Sequence, residues 1–402
     1  MCYLDSNNFS DRYSKFDLLL AVGVKDELIA AVGSGFSELE EFRSKHTGWM
    51  TGFFTYDLKN EVEDLYSSNI DGPDFPDLYF FVPEHLIRIT KGEIEIISDD
   101  GQRILEEIAS QKQHHKSSNS VKLYSRFSRE EYTGTVNKIK EHINRGDIYV
   151  TNFCQEFFAE DATIDPAETF LKLNDISPNP FGAFFRLKDK YILSASPERF
   201  LAKRGNKLIS QPIKGTSKRY ADPFNDERSR EKLRGHPKEL QENVMIVDLV
   251  RNDLTKSAIA GTVKTEELFG IYSFNQVHQM ISTVVCEKQD GISDIEAIRN
   301  TFPMGSMTGA PKVSAMQLME QYERSKRGVY SGAIGYFSPD GDFDFNVVIR
   351  TLLYNAATQY LSFQVGSAIT FHADAEKEYE ECLLKAQAIL EALGQHGSSP
   401  LP

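Results

Sequence analysis

The hydrophobic positions of the first 120 residues fall in short runs that are rich in aromatic and aliphatic residues. Such runs, separated by glycine and polar residues, are typical of β-strands. One of them alternates between apolar and polar positions, as a half-buried strand does. We predict strands at 16–22, 48–56, 79–82 and 93–97.

After residue 120 the pattern alternates between strands and long amphipathic helices. Ser128 and Glu131 have the spacing of a capping box, apolar residues follow at helical spacing, and Gly146 is a C-terminal stop. Further helices are predicted from Pro237 through Val250, from the loop 305–312 to Gly328, and from Asp374 to Gly394. Strands are predicted at 148–157, 183–185, 191–195, 332–337, 345–353 and 361–365, the last ending at Gly366.

The changes in composition divide the chain into three regions. We predict an N-terminal region at 1–120, a main region at 121–394, and a disordered polar tail at 395–402. The polar stretch 111–120 is predicted to be a mobile loop. Its adjacent histidines, His114 and His115, leave a metal site open as an alternative.

Composition and charge limit the classes of partner. The 402 residues are 40% hydrophobic and 26% charged, and the net charge of -14 argues against nucleic-acid and anionic-membrane partners. No apolar run approaches the ~18 residues of a transmembrane helix, and the polar N-terminus is unlike a signal peptide. The widely spaced cysteines are expected to be reduced thiols. These features favour a cytoplasmic protein without a membrane partner.

The segment 211–216 contains a candidate nucleophile, Lys214. Pro212 lacks a backbone donor, so the segment is not expected to form a central strand. Gly215 allows the backbone to approach a ligand closely, and Thr216 adds a hydroxyl. A neutral lysine amine can attack a substrate. The alternative is a turn with a solvated lysine.

Two predicted helices each carry a Glu-x-x-Glu pair. Glu239 and Glu242 share one helix face, as do Glu378 and Glu381. Carboxylates without nearby histidine or cysteine suit Mg²⁺ better than Zn²⁺. Solvated helix faces remain the alternative.

Several basic groups are candidates for holding a small anion. They are Lys214, Arg350, Lys385 and the glycine-rich loop 305–312, which precedes a helix but lacks the Walker pattern. Arg350 follows an apolar run, so its partner is either a structural glutamate or a substrate carboxylate. His278 is either a core histidine with satisfied ring nitrogens or a residue of the site.

These motifs, in this order, resemble those of the chorismate-utilising enzymes, which include anthranilate, aminodeoxychorismate, isochorismate and salicylate synthases. The resemblance covers residues 120–393 and is carried by 196–200, 212–216, 239–253, 305–312, 332–337, 348–351, Gly366 and 378–385. It implies an α+β fold in which two antiparallel β-sheets pack as a sandwich with helices on the outer faces, as in anthranilate synthase component I. It also implies chorismate as the substrate.

Two positions discriminate within the family. Aminodeoxychorismate synthases carry lysine before the Gly-Thr pair, as Lys214 is here, whereas anthranilate synthases carry alanine. Val150 stands where isochorismate and salicylate synthases have a water-activating lysine, and valine cannot act as a base. The chain therefore resembles the aminodeoxychorismate synthase branch most. That branch takes ammonia from a separate glutamine amidotransferase subunit. Anthranilate synthase component I and a catalytically silent subunit remain alternatives.

The resemblance also implies a role for each site residue. Lys214 would attack the ring of chorismate, and Glu198 would protonate the leaving hydroxyl. The Mg²⁺ ligands would be Glu242 and Glu381 directly, with Glu239 and Glu378 behind them holding metal-bound water. The substrate carboxylates would be held by Tyr336, Arg350 and Lys385. The pocket would be lined by Thr216, Thr308, Gly366 and His278.

The chain departs from the family pattern in two places. It has Gly366-Ser367-Ala368 where relatives often have a glycine triplet or Gly-Ala-Gly, so the Ala368 methyl would crowd a backbone contact to a carboxylate. The N-terminal tryptophan motif of the family is represented only by Leu4-Asp5-Ser6, which puts feedback control by tryptophan in doubt.

Overall fold

The computed structural model describes residues 1–110, 121–274 and 277–395. In chain order its strands are β1 Cys2–Asp5, β2 Leu18–Val22, β3 Asp26–Ala30, β4 Met50–Phe54, β5 Leu78–Val82, β6 His85–Thr90, β7 Glu93–Ile97, β8 Tyr124–Ser125, β9 Val150–Ala159, β10 Phe181–Leu187, β11 Lys190–Ser196, β12 Arg199–Arg204, β13 Lys207–Gln211, β14 Ile213–Lys218, β15 Lys264–Ser273, β16 Val277–Glu287, β17 Gly309–Ala310, β18 Ala333–Phe337, β19 Phe343–Val347, β20 Thr351–Asn355 and β21 Tyr360–Thr370.

The α-helices alternate with these strands, and two short 3₁₀ segments lie at Tyr56–Leu58 and Gly305–Met307. In chain order the α-helices are α1 Gly35–Lys45, α2 Lys59–Val62, α3 Gly101–Ser110, α4 Arg129–Arg145, α5 Pro166–Ile176, α6 Pro223–Arg234, α7 Pro237–Thr255, α8 Asp294–Thr301, α9 Lys312–Tyr322 and α10 Ala375–Ala392.

Two antiparallel sheets form the centre of the molecule. The 11-stranded sheet has the order β17-β9-β21-β20-β11-β10-β1-β2-β6-β7, with β8 beside β9. The 10-stranded sheet has the order β14-β16-β13-β12-β19-β18-β4-β5-β3, with β15 beside β16. An apolar cluster with residues from both sheets, such as Phe185 from the first and Phe53 from the second, fills the space between them.

Helices cover the outer face of each sheet. The 11-stranded sheet packs against α4, α5 and α10, and the 10-stranded sheet packs against α1, α6, α7 and α8. The predicted α+β sandwich, with two antiparallel sheets between helical layers, is confirmed.

The N-terminal strands complete both sheets. β1 pairs with β10 in one sheet, and β4 pairs with β18 in the other. The division at residue 120 stays a prediction, because 111–120 lie outside the described residues. The mobile-loop and metal-site interpretations of His114 and His115, and the disorder predicted for the tail, likewise concern residues outside the description, except for Gln395.

Local signals predicted several elements well. The Ser128 capping box is present, and Gly146 ends α4 in the left-handed region, with φ 85°. Helix α7 begins at Pro237 as predicted and continues to Thr255. β14, which follows Pro212, lies at one end of its sheet, so the expectation that this segment is not a central strand is confirmed.

Two predicted element ends were wrong. Helix α9 ends at Tyr322 rather than Gly328, because Glu323 adopts an extended conformation and its carboxylate binds the backbone N–H of Cys154 and the Arg327 guanidinium. Gly366 lies inside β21, not at its end.

The predicted strand 345–353 is two strands in different sheets. β19 belongs to the 10-stranded sheet and β20 to the 11-stranded sheet, so Arg350 lies in the segment that crosses between them. The hydrophobic pattern did not reveal the crossing, because both strands are buried and their periodicity does not change where the chain passes to the other sheet.

A second crossing lies beside the first. The chain passes from β11 in the 11-stranded sheet to β12 in the 10-stranded sheet through Pro197 and Glu198. β11 pairs with β20, and β12 pairs with β19. The two segments that cross between the sheets are therefore antiparallel neighbours. The fold therefore places Glu198 and Arg350 side by side, where the sheets meet.

The cysteines agree with the expected reduced state. Cys2, Cys154, Cys286 and Cys382 are all buried and unbridged among the described residues. In the same part of the chain, no helix has both the length and the apolar character needed to cross a bilayer.

Candidate active site

Glu198 is a buried acid at the crossing between β11 and β12. Its backbone carbonyl accepts a hydrogen bond from the N–H of Val347 at 3.0 Å, and the residue is 5% exposed. Burial raises the pKa of its carboxyl group to about 7, although the Ser306 hydroxyl, Lys214 and the N–H of Ile213 favour the charged form. The group therefore keeps a proton at a pH where an ordinary glutamate has lost it.

Arg350 lies at the neighbouring crossing with a left-handed backbone, φ 51°. Burial lowers the pKa of its guanidinium to about 10, and the nearby charge of Glu198 opposes this change. Within the described residues, no acceptor lies within hydrogen-bonding distance of the guanidinium, and no carboxylate forms an ion pair with it. Of the two partners considered for Arg350, a structural glutamate forms no ion pair with it within the described residues, although the charge of Glu198 acts on it from the neighbouring crossing.

Lys214 lies on the edge strand β14, at a shift in the register with β16. The strand runs close to helix α7: a Cβ atom at Gly215 would lie 3.3 Å from the Cβ of Glu239, and Gly215 has φ 102°. Asn243 of α7 donates a hydrogen bond to the carbonyl of Lys214 at 3.4 Å and accepts one from Ser282 at 2.6 Å. These contacts anchor the strand to α7.

The side chain of Lys214 is half-buried and points toward the acidic groups. It interacts electrostatically with Glu198, Glu239, Glu242 and Glu381. In the described residues none of these carboxylates approaches its amine closely enough to form an ion pair. The amine therefore lies between the buried acid and the two glutamate pairs without a fixed partner.

The four predicted metal ligands lie in one region, where α7 faces α10. The ammonium group of Lys238 spans the gap: it lies 3.6 Å from Oε1 of Glu242 and 3.3 Å from Oε1 of Glu378. Glu381 lies close enough to raise the pKa of Glu239 and Glu378 through its charge. The two Glu-x-x-Glu pairs are thus not separate solvated helix faces.

Burial is the largest influence on the pKa of three of these glutamates. It raises the pKa of Glu239, Glu242 and Glu378. The pKa of Glu381 is lowered instead, because the ammonium group of Lys385 lies 2.7 Å away. Without a further cation, the site holds more negative charge than its surroundings neutralise well.

The donor set suits a hard divalent cation. All four side chains offer oxygen, and Oε1 of Glu242 is buried without a hydrogen-bond donor. No three acidic, histidine or cysteine side chains in residues 1–110, 121–274 and 277–395 already form a metal-binding cluster. The residues fit Mg²⁺ in chemistry and location, and the carboxylates would have to draw together around it.

Gly366 and Lys385 adjoin the same glutamates. The Lys385 ammonium donates a hydrogen bond to the carbonyl of Gly366 at 2.8 Å. A Cβ at Gly366 would lie 2.6 Å from Sγ of Cys154, so packing alone requires glycine there. Ala368 is buried and pairs with Asn152 on β9.

Of three predicted pocket residues, two have polar groups that form hydrogen bonds within the protein, and the third is exposed. His278 binds Ser273 at 2.8 Å and Asp226 at 3.1 Å, which is the core-histidine alternative, although it lies on β16 beside β14. The Thr308 hydroxyl donates to backbone carbonyls within its own turn. Thr216 is exposed on β14.

Tyr336 is not brought to the site. Its ring contacts Phe16 and Trp49, with centroids 4.9 Å and 5.7 Å away, and lines a separate cavity of about 150 Å³ beside the N-terminal segment. The alternation of β18 explains the difference, because Ile334 and Tyr336 face the space between the sheets while Phe337 faces the helical layer.

Sequence reasoning missed three residues that shape the site. Ser306 interacts with Glu198, Asn243 anchors Lys214, and Lys238 lies between the glutamate pairs. Each is adjacent to a predicted motif residue or inside a predicted loop. No spacing or charge pattern distinguished them, because their contacts connect elements that are distant in sequence.

Comparison with known proteins was consistent with these motifs. A family model for chorismate binding enzymes matches residues 11–391. Aminodeoxychorismate synthase component 1 of Escherichia coli (strain K12) is 38% identical over 269 residues, which cover 67% of this chain and 59% of that protein. The same component from Klebsiella aerogenes is 35% identical and covers 86% of this chain and 77% of its own length. The match to the Escherichia coli protein thus spans less than two thirds of that protein.

A solved structure extends the similarity to the fold. Anthranilate synthase component I from Streptococcus pneumoniae TIGR4 aligns with a TM-score of 0.83 and 25% sequence identity. The alignment covers 95% of this chain and 93% of that chain. The two proteins therefore share most of their architecture.

We predict that replacing Glu198 by glutamine has an effect on stability that depends on pH. The folded chain holds the Glu198 proton up to about pH 7, whereas the ordinary pKa is 4.5. Wild-type stability from this group is therefore present below pH 4.5 and lost as the pH rises to about 7, by about 3 kcal/mol. Glu198→Gln cannot ionise, so its stability relative to wild type should increase by that amount across this window.

Urea unfolding at several pH values between 4.5 and 8 measures this difference. The same replacement at an exposed position, Glu391→Gln, serves as the control. A difference between Glu198→Gln and wild type that follows the control at every pH would show that the carboxyl group is not held protonated.

Proposed function

The chain belongs to the chorismate binding enzyme family, and we propose that it acts as component I of an aminodeoxychorismate synthase, converting chorismate and ammonia to 4-amino-4-deoxychorismate and water. The observation that carries the proposal is the position of Lys214. Its amine has no fixed partner among the described residues and lies between the buried acid Glu198 and the glutamates of α7 and α10.

In the proposed first step, the neutral amine of Lys214 attacks C2 of the chorismate ring. The two ring double bonds shift, from C1–C2 to C1–C6 and from C5–C6 to C4–C5. The bond from C4 to its hydroxyl breaks, and Glu198 gives its proton so that water leaves. The pKa of about 7 supports this role, because the carboxyl group is then substantially protonated at neutral pH.

In the second step, ammonia attacks C4 and both ring double bonds shift back. The bond between C2 and the lysine nitrogen breaks, which restores the Lys214 amine. A proton lost by the new amino group returns to Glu198. Chorismate and ammonia are thereby converted to the aminated product and one water, with no oxidant or reductant.

Binding of the substrate carboxylates is assigned to the basic groups. Arg350 has no competing acceptor in the described residues, and Lys385 projects from α10 beside Gly366. Bound Mg²⁺, held by Glu242 and Glu381 with Glu239 and Glu378 behind them, would neutralise the ring carboxylate and offset the negative charge around the Lys214 amine. Thr216, Thr308, Gly366 and His278 remain proposed pocket residues.

The source of ammonia is proposed to be a separate glutamine amidotransferase subunit, which free ammonia can replace in an assay. A cytoplasmic location is proposed as well, on the basis of the four buried, unbridged cysteines. The net charge of -14 agrees with the proposal that neither nucleic acid nor an anionic membrane is a partner.

A second candidate is anthranilate synthase component I, which the similarity to the Streptococcus pneumoniae structure favours. That reaction does not require a lysine nucleophile. The lysine in front of Gly215 therefore supports the amination at C4 rather than the formation of anthranilate.

The products distinguish the two candidates. Purified protein with chorismate, Mg²⁺ and ammonium should consume chorismate and yield 4-amino-4-deoxychorismate, which an added lyase converts to para-aminobenzoate. Chromatography with mass detection identifies both compounds. Fluorescent anthranilate formed without the lyase would reject the proposed activity, and no consumption of chorismate would favour a silent subunit.

Replacing the proposed nucleophile should affect turnover strongly. Lys214→Ala is expected to lower kcat by about 100-fold or more, equivalent to ~2.7 kcal/mol of transition-state stabilisation, because the covalent route is lost. The matched control is Lys218→Ala, an exposed lysine on the same strand that should keep its activity. Steady-state rates at saturating ammonium provide the comparison, and a fully active Lys214→Ala variant would exclude the covalent mechanism.

A further inference from the structure

Lys238 lies in the region where α7 faces α10. Its ammonium group lies 3.6 Å from Oε1 of Glu242 on its own helix and 3.3 Å from Oε1 of Glu378 on the other helix. No other lysine or arginine in the described residues forms ion pairs with both glutamate pairs. Lys238 therefore connects the two helices through charge.

The contact between Lys238 and Glu378 is important because Glu378 is buried. Its side chain is only 4% exposed, and a buried carboxylate needs a positive or hydrogen-bonding partner. Lys238 supplies the positive partner, and the Ser367 hydroxyl adds a hydrogen bond. Oε1 of Glu242 has no hydrogen-bond donor, and its carboxylate is compensated through charge by Lys214 and by the Lys238 ammonium 3.6 Å away.

Other charges face the same space from each neighbouring element. Helix α7 adds Glu239, and α10 adds Glu381 with Lys385, which lies 2.7 Å from Glu381. Strand β14 adds Lys214, whose charge also acts on Glu242 and Glu381. Lys385 is already paired with Glu381 and the Gly366 carbonyl, so Lys238 is the cation between Glu242 and Glu378.

We propose that Lys238 is an internal counter-ion that takes the place of the divalent cation in the metal-free chain and is displaced when the cation binds. The inference rests on the magnesium site of the proposed function. The ammonium and the metal ion would share Glu242 directly, and Glu378 would face both of them. Two cations held this close repel each other strongly, so the ammonium must leave as the metal enters.

The side chain is able to make this movement. Lys238 is 37% exposed, and a lysine can keep its methylene stem in place while its charged end turns into water. Lys238 therefore has two opposite effects: it stabilises the metal-free protein, and it weakens metal binding because the ion has to displace it.

Stabilising the metal-free protein while weakening metal binding distinguishes a displaced counter-ion from a purely structural bridge. A structural bridge would stabilise the protein equally with and without metal. A displaced counter-ion stabilises only the metal-free form, so its removal should lower the melting temperature in chelator and not in saturating Mg²⁺.

The test uses the full chain after treatment with chelator, and Mg²⁺ alone as the probe. Isothermal titration calorimetry and thermal melts with and without Mg²⁺ are compared for wild type, Lys238→Met and Lys377→Met. Lys377 is an exposed lysine on α10 next to Glu378, so its replacement removes the same charge outside the gap. Lys238→Gln provides a second variant that keeps a polar end, for use if the methionine variant does not fold.

We expect Lys238→Met to bind Mg²⁺ at least about 10-fold more tightly than wild type and to melt at a lower temperature in chelator only. Lys377→Met should change the affinity by less than about 2-fold. Glu242→Gln should weaken binding in either background, which assigns the heat to this site.

Each other outcome has a defined meaning. Equal Mg²⁺ affinity of wild type and both Lys238 variants overturns the counter-ion role and leaves the metal site intact. Absence of Mg²⁺ binding to wild type and to both variants overturns the metal site as well. Binding only after Lys238 is replaced supports the counter-ion role in its strongest form. Product formation is measured separately, so failure of the proposed amination is recognised independently.

Discussion

The hydrogen bonds that join the two sheet crossings are the constraint on which the site depends. The Ser196 hydroxyl donates to the carbonyl of Val347 at 2.5 Å, and the N–H of Ala195 donates to the carbonyl of Arg350 at 3.2 Å. Both segments pass from one sheet to the other at this point, and regular strand pairing fixes their backbones on either side. A carboxyl group and a guanidinium group are thereby held, buried, at a junction that neither sheet could form alone. The paired strands on both sides offset the unfavourable burial of these groups.

The rest of the site is built around an excess of negative charge. Burial raises the pKa of the acid at the crossing to about 7, and the glutamates of α7 and α10 face one another across a gap. Lys214, Lys238 and Lys385 approach that gap from three different elements. In the proposed function, an amine nucleophile, a metal ion and an anionic substrate would be linked by charge, because each cation that enters changes how strongly the others are held. This coupling explains why chemistry and metal binding are proposed at the same place.

The sequence predicted what depends on local patterns and residue type. The capping box at Ser128, the start of α7 at Pro237 and the edge position of β14 follow from local backbone preferences. Lys214 and the Glu-x-x-Glu pairs stood out because their residue types and spacing suggest chemistry. The family resemblance supplied the sandwich fold, which no single periodicity would have specified.

What the sequence did not predict depends on how distant segments meet. The crossing at Arg350 was missed because the strands on both sides are uniformly buried. Tyr336 was assigned to the substrate by its motif, but strand alternation turns its ring to the other side of the sheet. Ser306 and Asn243 gain their roles only from contacts across the fold.

The covalent role of the Lys214 amine is the central claim, and intact-mass analysis tests it most directly. Protein incubated with chorismate and Mg²⁺ but without ammonia should gain the mass of one chorismate less one water, and peptide mapping should place the addition on Lys214. An unmodified protein that nevertheless aminates chorismate when ammonium is added, or an addition on a different residue, would contradict the account.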